Sequence, residues 1–560
     1  MVNVKNLFGM AVMATALVGC SSNDNLAPDG KDNVGKTGEA YASFTINLPT
    51  TTGTGTRGDE AVKDGTPSFA EGTAAEYEVK NGTILIFDNA GNFVTSAQLG
   101  TMNPWTPVKK DGVTTAAITT VQLSGVSVGG DYQALVLLNN DVDATTSKVT
   151  LPTTGDTYAE WSKKTSKVNA EKYASTDGIF MANAPMYTGT TTEPTTLVPI
   201  ANVCASREEA QAKAATTVYV ERGLAKVTMQ NFTAGGYTVA EGTYKGDKVE
   251  IKNWQLDVTN KSTFPVHQIG GTGFAAIWST PRFYDGGNQS FKRVYWGVDP
   301  NYSGATLQNL EACKNAFTMI GKNDIKGETG NDHPQYCLEN TFDLANMMQG
   351  QTTRVVFKAV FTPKDFTTGQ TFYKIGNNTA IWDATKLAQQ IHTVAVTAMG
   401  ITDAAEQENY VVKLDASTNN ISGTAGLHTI TAANIEYKGT GTSLVAANID
   451  KINEKLGLKE TGISTYLNGE AYYIARIKHF NELTPWTAGE GYGTANDKYL
   501  GRYGVLRNNW YDLSVNSISG LGYPDIPEVK PDVPDDENEQ YINVEVKILD
   551  WAKRTQQIEL

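Results

Sequence analysis

Ala42-Ser43-Phe44-Thr45-Ile46-Asn47-Leu48 carries an apolar side chain at alternate positions, and Tyr541-Ile542-Asn543-Val544-Glu545-Val546-Lys547-Ile548 repeats the pattern near the other end of the chain. A period of two is the signature of a strand with one buried face. Between these ends, runs rich in Thr, Val, Tyr and Ile recur, split by Gly, Asn and Asp: Gly82 to Phe87, Ala116 to Val126, Tyr132 to Leu138, Thr217 to Val227, Arg354 to Phe361 and Tyr472 to Ile477. Short strands parted by turn residues predict an all-β fold, mainly β with few short helices, in the meander pattern of a sandwich. Two helices are expected. Ser206 to Ala215 is rich in Ala and Glu, and Leu444, Ala447, Ile452 and Leu456 stand at roughly helical spacing.

The length of 560 residues exceeds what one core organises and predicts two domains with dispensable ends. The expected division is a leader at 1–20, a propeptide with a removable first strand at 21–57, β-rich domains at 58–215 and 216–522, and a terminal extension at 523–560. Within the second domain, Trp296 to His333 is rich in Asn, Gly and aromatics and reads as long surface loops. Pro524, Pro527, Pro531 and Pro534, set among acidic residues, predict a stiff, solvated linker from Tyr523 to Gln540. The net charge of -14, with no basic cluster, excludes nucleic acid as a partner.

The leader combines Lys5, an apolar run from Leu7 to Gly19, and Cys20. That run is too short for a permanent membrane span and reads as a cleaved signal. A small residue before a cysteine at its end resembles the bacterial lipoprotein signal, which implies acylation of Cys20 and attachment to the outer membrane. Cys204, Cys313 and Cys337 remain. Cys313 and Cys337 are a possible disulfide, worth roughly 3 kcal/mol for a loop of that size, with the alternative that both are free and buried.

The segment after the first strand, Thr50 to Thr56, is a low-complexity Thr and Gly stretch that ends in Arg57-Gly58, an exposed and easily cut site. Cleavage there frees the strand of Ala42, Phe44, Ile46 and Leu48. A vacated strand position leaves unpaired backbone groups and an apolar groove that template another strand. The tail bearing Ile542, Val544, Val546 and Ile548 has the matching pattern, and insertion from a neighbouring molecule is β-augmentation. Burying its four aliphatic side chains is worth roughly 6 to 12 kcal/mol before ordering entropy is subtracted.

Catalytic readings do not hold together. Gly53-Thr54-Gly55-Thr56-Arg57-Gly58 has dinucleotide-fingerprint spacing, but no helix is expected to follow it. Gly125-Val126-Ser127-Val128-Gly129 has nucleophile-elbow spacing, yet the next segment reads as a strand. Arg57-Gly58-Asp59 spells an integrin-binding tripeptide that the cleavage would split. Asn139 to Asp143 reads as a hairpin turn rather than a calcium loop. His267, His333, His392, His428 and His479 are scattered without ligand spacing, so no metal, cofactor or enzymatic activity is expected.

Val220-Glu221-Arg222 with Ala225-Lys226-Val227, Cys337 to Thr341 followed by Arg354 to Ala359, Val505 to Tyr511 with Ile518 to Gly522, and Val544 to Trp551 together resemble the bacteroidete-type fimbrillins, the type V pilins. Within that family the chain is similar to the major subunit of the short fimbriae. The resemblance implies two transthyretin-like β-sandwich domains with a C-terminal donor-strand extension, lipoprotein export, removal of the first strand by an arginine-specific protease, and donor-strand polymerisation. Expected partners are further copies of the chain, anchor and tip subunits, the protease, and host or bacterial surface receptors, with membrane contact only through the transient lipid. The expected location is a cell-surface fimbrium supporting adhesion, colonisation and biofilm formation. The alternative is a surface lipoprotein that binds glycan through its Tyr and Trp residues and never polymerises.

Overall fold

The computed structural model describes residues 39–49, 73–100, 106–110, 113–141, 147–164, 166–167, 170–175, 178–187, 194–269, 292–293, 296–302, 307, 309–341, 346–459, 461–479, 501–535 and 542–549, the last by its backbone. These residues are mainly β, with few helices and several sheets.

The N-terminal half contains β1 (Glu39–Pro49), a single helical turn α1 (Ala74–Tyr77), β2 (Gly82–Asp88), β3 (Phe93–Gln98), β4 (Thr106–Lys110), β5 (Val113–Ser124), β6 (Tyr132–Leu138), β7 (Met181–Asn183), α2 (Arg207–Ala212) and β8 (Thr216–Arg222). One sheet joins them in the order β3-β2-β6-β7-β8-β1-β5-β4, with the short strand Val198–Pro199 also pairing with β6. Its ends approach each other: the Thr119 hydroxyl of β5 donates to the Leu99 carbonyl just beyond β3 at 2.9 Å, so the sheet curls into a near-barrel. Ala42, Phe44 and Ile46 line the interior with Ile84, Val136 and Val218. The opposite face of β2 and β6 is buried too, through Leu85, Phe87, Leu135 and Leu137 against Trp161 and Tyr173. Burial on both faces explains why these two strands read as continuous apolar runs rather than alternating ones.

After a two-residue bend at Gly223-Leu224, β8 continues as β9 (Ala225–Met229) in the second half. A side chain at Gly223 would place its Cβ 2.9 Å from the Phe180 ring and 3.0 Å from Tyr173, so glycine is required for the close approach. The second half adds β10 (Lys248–Asp257), α3 (Leu310–Ala316), β11 (Gln335–Cys337), β12 (Arg354–Thr362), β13 (Phe372–Ile375), α4 (Ala384–Met399), α5 (Val445–Lys455), β14 (Ile463–Tyr466), β15 (Glu470–Arg476), β16 (Trp510–Ile518) and β17 (Ile542–Leu549). The sheet β11-β9-β16-β17 faces the sheet β10-β12-β15, which the short strand Tyr237–Thr238 extends. Val227, Trp254, Phe357, Tyr473, Tyr511 and Leu513 pack between them.

Three regions differ from the sequence reading. Trp296 to His333 is not a set of surface loops throughout: Trp296 and Phe317 are fully buried, and α3 packs Cys313 against Val258 and Phe317. Asn309 caps that helix by accepting from the Ala312 amide at 2.9 Å. Residues 523–535, the described part of the Pro-rich stretch, are held on the body rather than solvated. Tyr523 exchanges two main-chain hydrogen bonds with Tyr472 at 2.8 Å each, Arg354 Nη2 donates to the Pro527 carbonyl at 2.8 Å, and Val529 is buried. Prolines lack an N–H, so such a segment docks through carbonyls and side chains. Finally, the excursion between β13 and β14 builds a core of its own, with Leu387, Ile391 and Ala395 of α4 packed near Ile452 of α5.

The possible Cys313–Cys337 bridge is not formed. Both thiols are free, and they lie in separate clusters, one beneath α3 and the other inside the second sandwich. Burial pushes the Cys313 thiol up to about 11 and that of Cys337 up to about 12. Cys204 is also free and buried.

Candidate functional site

The site is the position that β1 occupies. Although it is the first described strand, β1 lies inside the sheet and is paired on both edges. It runs antiparallel along β5, with Ala42 opposite Val121 and Phe44 opposite Thr119, and parallel to β8, with Phe44 opposite Thr216 and Ile46 opposite Val218. Where β8 has not yet begun, Tyr41 exchanges main-chain hydrogen bonds with Cys204 at 2.9 and 2.8 Å. Ala40, Ala42, Phe44 and Ile46 are each 0 % exposed, as the alternating sequence predicts for one face. The side chain of Leu48 lies outside the described residues.

The outer face of β1 is covered as well. Ser206 begins α2 by accepting from the Glu209 amide at 3.1 Å, while the Glu209 carboxylate accepts from the Ala205 amide at 3.1 Å, a near capping box. That short helix sets Ala210 and Arg207 over β1 and β5. Ser43 Oγ donates to the Ala210 carbonyl at 2.8 Å and lies 2.8 Å from Thr120 Oγ1. Arg207 Nη1 donates to the Thr120 carbonyl at 2.8 Å, and its guanidinium carbon stands 5.6 Å from the centre of the Tyr41 ring. Sequence reading found this helix but not its role over the first strand, since Ser43, Thr45 and Asn47 all alternate with apolar residues and nothing local marks Ser43 as the one that α2 covers.

The tail strand β17 lies antiparallel on β16 of its own chain, with Val544 opposite Val515 and Val546 opposite Leu513, at the edge of the second sandwich. Cys20, Arg57 and Gly58 lie outside the described residues, as do the side chains of Ile542, Val544, Val546 and Ile548.

A second constellation joins the two halves, and the scattered sequence motifs converge on it. In β9, Ala225 is opposite Cys337 and Lys226 is opposite Tyr336 on one side, with Lys226 opposite Trp510 on the other. Lys226 Nζ lies 2.6 Å from Glu76 Oε1 of α1 and 3.8 Å from the centre of the Trp510 ring. Tyr336 donates to the same Glu76 oxygen at 2.6 Å, and Arg222 Nε donates to the Glu76 carbonyl at 2.8 Å. Nearby, Arg507 pairs with Glu339, and His267 Nδ1 is 2.9 Å from Glu221. Burial works to raise the Glu76 carboxyl, but the Lys226 ammonium, with the hydrogen bonds from Lys226, Tyr336 and Thr73, brings it below its ordinary value of 4.5. These charges are matched within the fold and hold it together; they present no reacting group.

Other candidates resolve as structure. Gly125 and Gly129 take φ of 72° and 71° in the connection from β5 to β6, so no helix follows Ser127. Asn139 bonds Lys80, Glu78 and Ile179 through its side chain. Among the described residues no group of three or more His, Cys, Asp and Glu is placed to hold a metal ion, and no helix is long and apolar enough to cross a membrane.

Residues 464–557, from β14 through the tail strand, match the family model for the C-terminal region of the major fimbrial subunit protein type IV, fimbrillin. No curated protein matches the chain. Among solved structures, a cell-adhesion candidate from Parabacteroides distasonis is similar at 11% identity, with 93% of this chain and 99% of that one covered and a TM-score of 0.38. A fimbrial assembly protein from the same organism is similar at 13% identity, with 58% and 84% covered and a TM-score of 0.28. At those scores the weight rests on the family match. Residues 464–557 are thus a fimbrillin C-terminal domain, the C-terminal region of a major fimbrial subunit protein.

Proposed function

We propose that this subunit of a cell-surface fimbria forms the stalk. It is exported as an outer-membrane lipoprotein through acylated Cys20, cut after Arg57 by an arginine-specific protease, and joined head to tail by donor-strand exchange. In this reading β1 is a temporary plug that leaves with the lipid, and the β17 segment of a neighbouring copy refills its position between β8 and β5. The two halves correspond to transthyretin-like β-sandwich domains, with the tail as a C-terminal extension. Anchor and tip subunits complete the fimbrium, which serves adhesion, colonisation and biofilm formation through surface receptors.

The observation that carries the reading is the position of β1. A strand that precedes a Thr and Gly stretch ending in Arg57 would ordinarily be an edge strand, whose loss costs little. Here it is central, with four side chains at 0 % exposure, so its departure opens two unpaired edges and an apolar groove at once. The tail is already a strand, on a sheet edge, and donation exchanges one ladder for another with two paired edges. Such an exchange favours assembly without any change in charge.

The test is Arg57→Ala in the full chain. The expected result is an uncleaved precursor without SDS-resistant ladders, whereas the native chain yields ladders and a mature N-terminus at Gly58. Ladders that persist in Arg57→Ala overturn the mechanism. Mature protein that keeps acylated Cys20 and stays monomeric points instead to the glycan-binding lipoprotein.

A further inference from the structure

Strand exchange leaves one question open, namely which tail residue enters which position of the groove. The inner face does not decide it. A strand of period two slides in steps of two without changing which face is apolar, and Ile542, Val544, Val546 and Ile548 are interchangeable aliphatics. The outer face of the β1 position is selective, because α2 lies on it. Ser43 is only 6 % exposed, and its hydroxyl meets a carbonyl, that of Ala210, and the Thr120 hydroxyl, each at 2.8 Å. A residue placed there must be small and must bring a donor.

Three registers set Val544 and Val546 both among the inner positions of Ala40, Ala42, Phe44 and Ile46. With Ile542 at the Ala40 position, Glu545 falls at Ser43 and sets a carboxylate, which has no hydrogen to give, against the Ala210 carbonyl in a buried site. With Val544 at the Ala40 position, Asp550 falls at Ile46, which is 0 % exposed. With Ile542 at the Ala42 position, Asn543 falls at Ser43, Val544 at Phe44, Val546 at Ile46 and Ile548 at Leu48. An asparagine amide donates to one neighbour and accepts from the other. Glu545 and Lys547 then take the positions of Thr45 and Asn47. In this register Tyr541 falls at the position of Tyr41, a tyrosine in both segments, where Arg207 stacks on the ring of Tyr41.

We infer that Asn543 fixes the register of the donor strand: its amide, in the groove of a second copy of this chain, takes over the contacts of Ser43 with Ala210 and Thr120, and α2 is the element that reads it. The inference rests on the strand-exchange reading. It makes α2 a gauge for the incoming strand and explains why the tail's outer face begins with a neutral amide before its charges.

Full-length chains carrying Ile118→Cys, opposite Thr45 on β5, with either Glu545→Cys or Lys547→Cys keep Asn543 and Thr120; cleaved after Arg57, oxidised and separated in SDS without reductant, they read the register directly. The expected result is cross-linked oligomers for the 118/545 pair, about tenfold or more above the 118/547 pair; a yield from 118/547 equal to or above that from 118/545 overturns the inference. Asn543→Ser and Asn543→Asp test the same point without engineered cysteines. The serine variant is expected to give ladders like the native chain, and the aspartate variant about tenfold fewer or less. Native ladder yield from Asn543→Asp overturns the inference while leaving strand exchange intact. Failure of the native chain to form ladders once its first strand is gone overturns both.

Discussion

Glu76 and Lys226 meet at 2.6 Å with side chains 2 % and 1 % exposed, so a helical turn of the first half is pinned to the opening strand of the second by an ion pair closed to water. Removing one partner strands the other charge. Glu76→Gln or Lys226→Met is expected to cost about 3 to 5 kcal/mol, and the two combined in one chain much less than the sum. Guanidinium unfolding of the four proteins of this cycle measures the coupling.

Acid should act through the same carboxylate. Its folded value lies below the ordinary 4.5, so its contribution is present above that value and is lost as pH falls through the depressed one. Unfolding midpoints followed from about pH 6 to pH 2 should decline in the native chain, and the decline should be shallower in Glu76→Gln. An identical slope in both proteins would remove Glu76 from the account.

Phe44 offers a before-and-after comparison. It is 0 % exposed in β1, and Phe44→Ala should destabilise the uncleaved precursor by about 3 to 5 kcal/mol. In the proposed assembly, cut after Arg57, the substitution would leave with the discarded strand. Ladders from variant and native precursor should then resist SDS and heat equally, which a melting series on the two polymers checks.

Asp at both Val544 and Val546 should abolish ladders. The tail is an edge strand on β16, whereas β9, β16, β10, β12 and β15 build the sandwich without it. Circular dichroism of the monomer is expected to keep its β signature while assembly is lost; normal ladders from this variant would exclude the tail as donor.

The excursion between β13 and β14 has a separate core, so its failure should be local. Ile391 is 0 % exposed in α4, and Ile391→Ala should cost about 2 to 5 kcal/mol there. Hydrogen exchange should rise across 384–458 and stay low in β10, β12 and β16.

Much of this architecture was legible because local pattern and burial agree. The alternation in Ala42 to Leu48 and the Ser206-to-Glu209 cap are recorded in a few consecutive residues, and strand and helix stand where those patterns put them. α4 was hidden by composition. Thr393, Val394, Val396 and Thr397 are β-branched and lower helix propensity, although Asp383 caps the helix start and Gly400 closes it at φ 74°. Tertiary packing of Leu387, Ile391 and Ala395 overrode that propensity. The joint was hidden by a different rule: charged residues such as Glu76, Lys226 and Arg507 are ordinarily solvated, and only the fold brings their partners within reach. Partner choice for the terminal strands was likewise beyond local pattern, since alternation specifies a strand and says nothing of its neighbour. The burial of Trp296 and the docking of the Pro-rich stretch depend on long-range contacts of the same kind.

The bend at Gly223-Leu224 joins β8 and β9 into one passage from the first sheet to the second, with β1 alongside the former and β16 alongside the latter, both parallel to it. A pull along this passage loads the adjoining ladders in shear, so many hydrogen bonds share the force instead of opening one after another. The same backbone would carry tension from the β1 position in one half to β16 in the other. In a filament of the proposed kind, stretched by flow, the weakest points would lie outside this passage, and each subunit would behave as a short, stiff link.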